Sequence, residues 1–119
     1  MNELLPALYD HLEPVALRIA QRAAALEPAD AQRAYLVGVA RQIAKHTVTI
    51  NNLLPGTVMT ERIKELGETA NQLIARVPAG RGGLPEEFGA ACAFLCSGRA
   101  SYITGQNLLV DGGLCSFTV

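Results

Sequence analysis

Pro55 and Gly56 directly follow the β-branched, largely apolar run TVTINNLL from Thr47 to Leu54. Such a run reads as a buried strand of the parallel type. In open α/β sheets ligands sit outside the carboxyl ends of the strands, where loops expose backbone N–H groups, and Gly56 would let the backbone come close to one. From these residues alone two readings stand: a ligand loop, or a strand that ends in a turn. The other chemistry-bearing residues form no constellation. Gly80, Gly82 and Gly83 follow a helical stretch and run into Pro85, so they lack the strand-turn-helix context of a phosphate cradle. Ser97, Ser101 and Ser116 have no nearby His. Glu61, Glu65 and Glu68 read as a solvated face. His46 ends a helix at its negative pole, and His11 lies on a helix face without an evident partner. Cys92, Cys96 and Cys115 include no Cys-x-x-Cys and no neighbouring His, so they are expected to act as small buried hydrophobes and not as metal ligands. No catalytic residue and no metal site is assigned.

Composition narrows the classes. Half of the 119 residues are hydrophobic and 18% are charged, which excludes a disordered, solvating chain and suits one domain with a modest core. Ten basic residues against eleven acidic ones leave a net charge of −1, with no clustered basic field to hold nucleic acid or an anionic membrane. No apolar run approaches the roughly 18 residues of a membrane span. Met1-Asn2-Glu3 opens without a basic region or a cleavage site, so no signal peptide is expected. An odd number of cysteines without such a signal points to a reducing, cytoplasmic setting.

The elements that must position the Pro-Gly loop follow from periodicity. Residues 3–26 are expected to be helical, with Leu4, Leu5, Leu8 and Leu12 on one face before Pro14 and Val15, Ile19 and Ala23 after it. Glu27-Pro28-Ala29-Asp30 breaks that pattern, and Asp30 is expected to cap the next helix. That helix, about Ala31 to Lys45, turns Tyr35, Leu36, Val39, Ile43 and Ala44 to a core. After the strand come a charged helical turn from Glu61 to Leu66, Gly67 as a breaker, and a helix from about Glu68 to Val77. Arg81 to Gly113 is the most legible stretch. Pro85 suits the first helical position, Glu86 and Glu87 complement the positive helix end, and Phe88, Ala91, Cys92, Leu95 and Cys96 make one apolar stripe. Gly98 is expected to stop the helix. Asn107-Leu108-Leu109-Val110, between Gly105 and Asp111-Gly112-Gly113, reads as a second buried strand.

The order Arg-x-Gly-x-Pro-Glu-Glu, an Ala-rich helix ending Phe-Leu-Cys-Ser, then Tyr-Ile-Thr-Gly-Gln and Val-Asp-Gly-Gly closely resembles the C-terminal end of short-chain dehydrogenases/reductases, nearest to the 3-oxoacyl-acyl-carrier-protein reductase branch. The resemblance runs from about Tyr35 to Gly113. It implies an α/β chain, the C-terminal part of a Rossmann-type doubly wound fold, mostly helical with about two parallel strands. It also implies an oxidoreductase using NAD or NADP, in which Asn51 anchors the strand, Pro55 and Gly56 shape the loop, Val58 offers backbone groups to the nicotinamide carboxamide, and the Thr60 hydroxyl bonds the same region. In this division residues 1–30 are a helical lead-in, 31–113 the family-like segment and 114–119 a tail, all within a single truncated domain.

The same resemblance shows what these residues lack. The family's proton donor is a Tyr with a Lys four residues on, but Tyr9 is followed at that spacing by Glu13, Tyr35 by Val39 and Tyr102 by Gln106. Counted back from Pro55-Gly56, the two positions fall on Ala25 and Ala29. The glycine-rich cofactor turn has no counterpart. Two parallel strands cannot cover both of their faces unaided, so an oligomer is expected. By resemblance its contacts are Phe88, Ala91, Leu95, Leu108 and Val110, and its partner is a second copy or a full-length short-chain reductase, with no nucleic acid and no membrane. Three readings stay open: a part of an NAD(P)-dependent reductase that is inactive alone, a non-catalytic module that pairs with full-length reductases, or a remnant without activity.

Overall fold

The computed structural model describes Pro14, residues 17–19, Gln21, Arg22 and residues 28–116. The expected faces of Leu4, Leu5, Leu8, Leu12, Val15 and Ala23, and the expectation for His11, lie outside them. The chain divides into two compact units, Met1–Asn51 with Ser101–Gln106, and Asn52–Ala100 with Asn107–Val119. Among the described residues no helix is long and apolar enough to cross a membrane.

In the first unit helix α1 spans Pro28–Ile43 and tightens into a 3₁₀ turn at Ala44–His46. Its start differs from the expectation. Pro28 is already helical, because a proline near a helix start gives up only an N–H that has no partner there, so Asp30 lies in the first turn instead of capping it. The buried face is Leu36, Ala40 and Ile43, at i, i+4 and i+7. Tyr35, 40% exposed, and Ala44 fall outside that arc and face solvent. Thr47 closes the 3₁₀ turn in the left-handed region at φ 59°, which is incompatible with a strand. The strand expected from Thr47 therefore starts five residues later.

Before it starts, residues 50 and 51 are clasped by the Ile103–Gln106 loop. Ile50 N–H donates to Thr104 Oγ1 (3.1 Å) and Gly105 N–H to the Ile50 carbonyl (2.7 Å). Asn51 Nδ2 donates to the Ile103 carbonyl (3.0 Å), and Asn51 Oδ1 accepts from Gln106 N–H (3.1 Å). The Asn51 side chain thus does the pairing that a strand backbone would otherwise do, tying residue 51 to this loop.

In the second unit β1 (Asn52–Pro55) and β2 (Asn107–Val110) pair in parallel, Asn52 opposite Asn107 and Pro55 opposite Val110. Asn52 Nδ2 donates to Asn107 Oδ1 at 2.9 Å across the first rung, fixing the register with a side-chain pair. Between the strands run α2 (Glu61–Glu65), α3 (Glu68–Ala75) and α4 (Pro85–Leu95). Gly67 separates α2 from α3 as expected, and α4 packs on β1. Ala70, Val77, Gly82 and Ala100 are buried.

Two expectations for α4 are corrected. Its inward residues are Phe88, Ala91 and Leu95, whereas Cys92 and Cys96 are exposed. The apolar composition of the helix extends around its circumference, so sequence pattern alone placed the cysteines on the wrong side. Gly98 does not stop the helix, which ends at Leu95 with Cys96 as its cap and Ser97 N–H donating to the Phe94 carbonyl, and Gly98 begins a 3₁₀ turn, Gly98–Ala100. Cys115, also expected to be buried, is of intermediate exposure.

Candidate functional site

The Pro-Gly loop leaves the carboxyl end of β1 where the expectation put it. Pro55 is the last residue of the strand, and Gly56 N–H still donates to the Val110 carbonyl at 3.0 Å. A Cβ built on Gly56 would lie 2.6 Å from Asp111 Cα. The missing side chain is therefore taken up by the neighbouring strand end, not by room for a ligand. That contact holds the ends of both parallel strands together.

The following residues are braced by the glycine segment for which the sequence offered no role. Gly83 N–H donates to the Thr57 carbonyl (2.9 Å) and Met59 N–H to the Gly83 carbonyl (2.8 Å), a parallel bridge centred on Val58 and Gly83. In this pattern the bridge uses the groups of Thr57 and Met59, so Val58's own N–H stays outside it. Among the described residues that N–H takes no hydrogen bond, and the Val58 carbonyl accepts from Thr60 N–H at 2.8 Å. Gly82 is buried against Met59, where a Cβ would lie 2.5 Å from the sulfur. Because the clash is with a flexible thioether, Gly82→Ala is expected to cost under ~1.5 kcal/mol, measured by urea denaturation. Thr60 caps α2, its Oγ1 accepting from Ile63 N–H at 3.4 Å, and its exposed hydroxyl keeps its proton for another acceptor.

An ion pair fixes the glycine segment to α4. Arg81 donates through both terminal nitrogens to the Glu87 carboxylate (2.7 and 2.6 Å), and Glu87 Oε2 also accepts from Leu84 N–H at 2.8 Å. Arg81 further donates to the Gly82 carbonyl at 3.2 Å. Glu87 is the third helical residue, so its reach back to the Leu84 N–H is a capping interaction. The spacing of Glu87 from Pro85 was the available signal for this cap, while its partner Arg81 had none. The Arg81 hydrogen bonds, then that of Leu84, lower the Glu87 pKa from 4.5 to about 2. A carboxylate depressed in the fold stabilises it above its unfolded pKa and loses that contribution as pH falls through the folded value. The unit is therefore expected to lose stability between about pH 4.5 and 2, and Glu87→Gln to flatten that part of the profile, read by circular dichroism across pH. The pair is exposed, so added salt weakens the same effect.

Beyond the carboxyl ends of β1 and β2 lies a pocket of about 330 Å³, whose lining includes Thr57, Val58, Phe88, Val110 and Asp111. Asp111 accepts from Cys115 N–H (2.8 Å) and Gly113 N–H (2.9 Å), bonds that hold its carboxyl below the usual range. The structure thus collects Pro55, Gly56, Val58 and Thr60 on one loop of the second unit. Of the residues expected at an oligomer contact, Phe88, Ala91, Leu95 and Val110 are half-buried within that unit, and Leu108 is 38% exposed.

Comparison with known proteins places this geometry. A family model described as enoyl-(acyl carrier protein) reductase matches residues 21–115. The 3-oxoacyl-[acyl-carrier-protein] reductase FabG of Vibrio cholerae is 46% identical over 77 residues, 64% of this chain and 32% of that protein. FabG of Salmonella typhimurium is 40% identical over 89 residues, 71% of this chain and 36% of that protein. Among solved structures, YwfH, an NADPH-dependent reductase involved in bacilysin biosynthesis, superposes with a TM-score of 0.65 at 33% identity, covering 74% of this chain and 40% of that one. A mutant of a Serratia marcescens short-chain dehydrogenase/reductase gives 0.65 at 39% identity, covering 71% and 34%. The chain spans about a third of the length of the curated relatives it matches. Two parallel strands joined through helices, with the Pro-Gly loop at their carboxyl ends, are part of a Rossmann-type fold, and the chain belongs to the short-chain dehydrogenase/reductase family.

Proposed function

We propose that these residues form the nicotinamide-end portion of an NAD(P)-dependent short-chain reductase of the 3-oxoacyl-reductase type. Pro55 and Gly56 shape the loop, the Val58 backbone meets the carboxamide, and the Thr60 hydroxyl donates to the same region. The observation that supports this reading is the Val58 N–H, kept out of the bridge that fixes its neighbours and so available to an acceptor at the carboxyl end of a parallel strand. NAD or NADP, when bound, supplies the hydride chemistry. The groups that grip a pyrophosphate and donate a proton are not found among these 119 residues, so the chain by itself is an incomplete site and turns over no substrate. A glycine-rich turn and a Tyr-Lys pair from outside these residues complete it. Exposed Cys92 and Cys96, neither in a disulfide, suit a reducing cytoplasm.

A second reading, a non-catalytic module pairing with its own copy or with a full-length short-chain reductase, draws on a different observation. The second unit exposes Leu84, Phe94 and Leu108 at 51, 45 and 38%, beside a two-stranded sheet that is marginal alone.

Titration with NADPH, followed by fluorescence or calorimetry, separates the readings. The chain alone is expected to give no saturable binding, and a mixture with a full-length reductase that has lost its own Pro-Gly loop is expected to regain it. Micromolar binding by the chain alone would overturn the incomplete site. Stable association that restores no NADPH binding would favour the non-catalytic module.

A further inference from the structure

Cys92 and Cys96 depart from the usual place of a free cysteine, which is among the residue types most often buried. Both are exposed on α4, and neither thiol takes a hydrogen bond or a disulfide among the described residues. The expectation that the cysteines take no metal assumed that they are buried, and their exposure removes that assumption.

The helix itself fixes their spacing. Cys96 caps α4 with right-handed helical backbone angles, and its N–H donates to the Cys92 carbonyl at 3.0 Å. Residues joined by that bond stand one turn apart on the same face, with Cβ atoms about 5–6 Å from each other. The pair therefore owes its geometry to one continuous element and needs no wall supplied from outside these residues.

Two thiolates side by side are ligands for a soft metal ion, and the coordination number decides which one. The residues three and four positions from either cysteine are Phe88, Gly89, Ala93, Leu95, Arg99 and Ala100, none of which offers a metal a donor. The Glu87 carboxylate, five positions before Cys92, is held by Arg81 and the Leu84 N–H. Among the described residues no group of three or more His, Cys, Asp or Glu comes together. Zinc, which takes four ligands in a structural site, would be left half coordinated, and calcium and magnesium require oxygen ligands. Copper(I) is soft and is satisfied by two thiolates.

We infer that Cys92 and Cys96 form a two-thiolate site for copper(I) on the exposed face of α4. Binding breaks the two S–H bonds, releases both protons and forms two Cu–S bonds. No electron moves, because copper enters as Cu(I) and both sulfurs stay at the thiolate level. The Pro-Gly loop and the pocket beside it include neither cysteine, so the cofactor reading plays no part in this site.

The test presents the reduced 119-residue chain, free of oxygen, with Cu(I) held by the chromophoric chelator bicinchoninate. The chain is expected to withdraw one Cu(I) per chain and to bleach the chelate in proportion. Cys92→Ser and Cys96→Ser each remove a ligand, and each is expected to weaken binding by more than the roughly 10–100-fold typical of losing an outer-shell partner. Both positions are exposed, so the far-UV spectra of the variants are expected to stay native. Cys115→Ser, the control, is expected to leave stoichiometry and affinity unchanged. No withdrawal of copper, one Cu(I) per two chains, lost binding in Cys115→Ser, or unchanged binding in either helix variant would each overturn the assignment.

Discussion

Gly56→Ala is expected to destabilise the β1–β2 unit by about 3 kcal/mol, at the upper end of the cost of forcing one methyl into a packed site. The physical reason is the identity of the atom that it meets. A Cβ at Gly56 would stand 2.6 Å from Asp111 Cα and 2.7 Å from Asp111 Cβ, and a backbone atom flanked by strand and turn cannot swing aside. Relief requires the ends of β1 and β2 to separate, which breaks the bond from Gly56 N–H to the Val110 carbonyl and disturbs the Asp111 caps on Gly113 and Cys115. Amide exchange at Gly56, Gly113 and Cys115 should accelerate together, with a lowered urea midpoint. Gly82→Ala is the internal control, because its nominally closer contact is with the Met59 thioether. If the two variants cost the same, rigidity of the neighbour is not what decides the penalty.

Asn51→Ala is expected to cost about 2 kcal/mol in the first unit, the sum of two lost hydrogen bonds at ~1 kcal/mol each. The Asn51 amide donates at one end and accepts at the other, so no smaller residue replaces it. Asn51→Asp keeps an acceptor for Gln106 N–H but turns a carboxylate oxygen toward the Ile103 carbonyl, and is expected to be at least as damaging above its pKa. Exchange at Gly105 and Gln106 is the direct readout. Protection unchanged in Asn51→Ala would mean that the Ile50 bonds to Thr104 and Gly105 hold this loop without help.

Much of the architecture was legible where one residue type has one physical role. Proline at the start of α4, the Gly67 break and the strand Asn107–Val110 emerge where periodicity and turn chemistry put them. The first strand was overextended because Thr47, Val48, Thr49 and Ile50 carry strand propensity, while the left-handed turn at Thr47 and the Asn51 clasp are tertiary choices. Cys92 and Cys96 share an apolar stripe with Leu95 on paper. In α4, where nearly every residue is apolar or small, the stripe does not say which arc faces β1. Gly82 and Gly83 looked like a failed phosphate cradle. Their role is to let one loop lie against another, and that depends on a partner 23 or more residues away in sequence.

The sequence by itself determined the family, the parallel strand pair and the position of the Pro-Gly loop at the carboxyl end of the first strand, because motif order and local propensity are properties of contiguous residues. Only the tertiary structure decided what occupies the space at Gly56, which backbone group of the loop stays unpaired, that Arg81 closes on Glu87, and that a pocket opens beside them. Those are contacts between segments far apart along the chain, and the packing of each unit chose them.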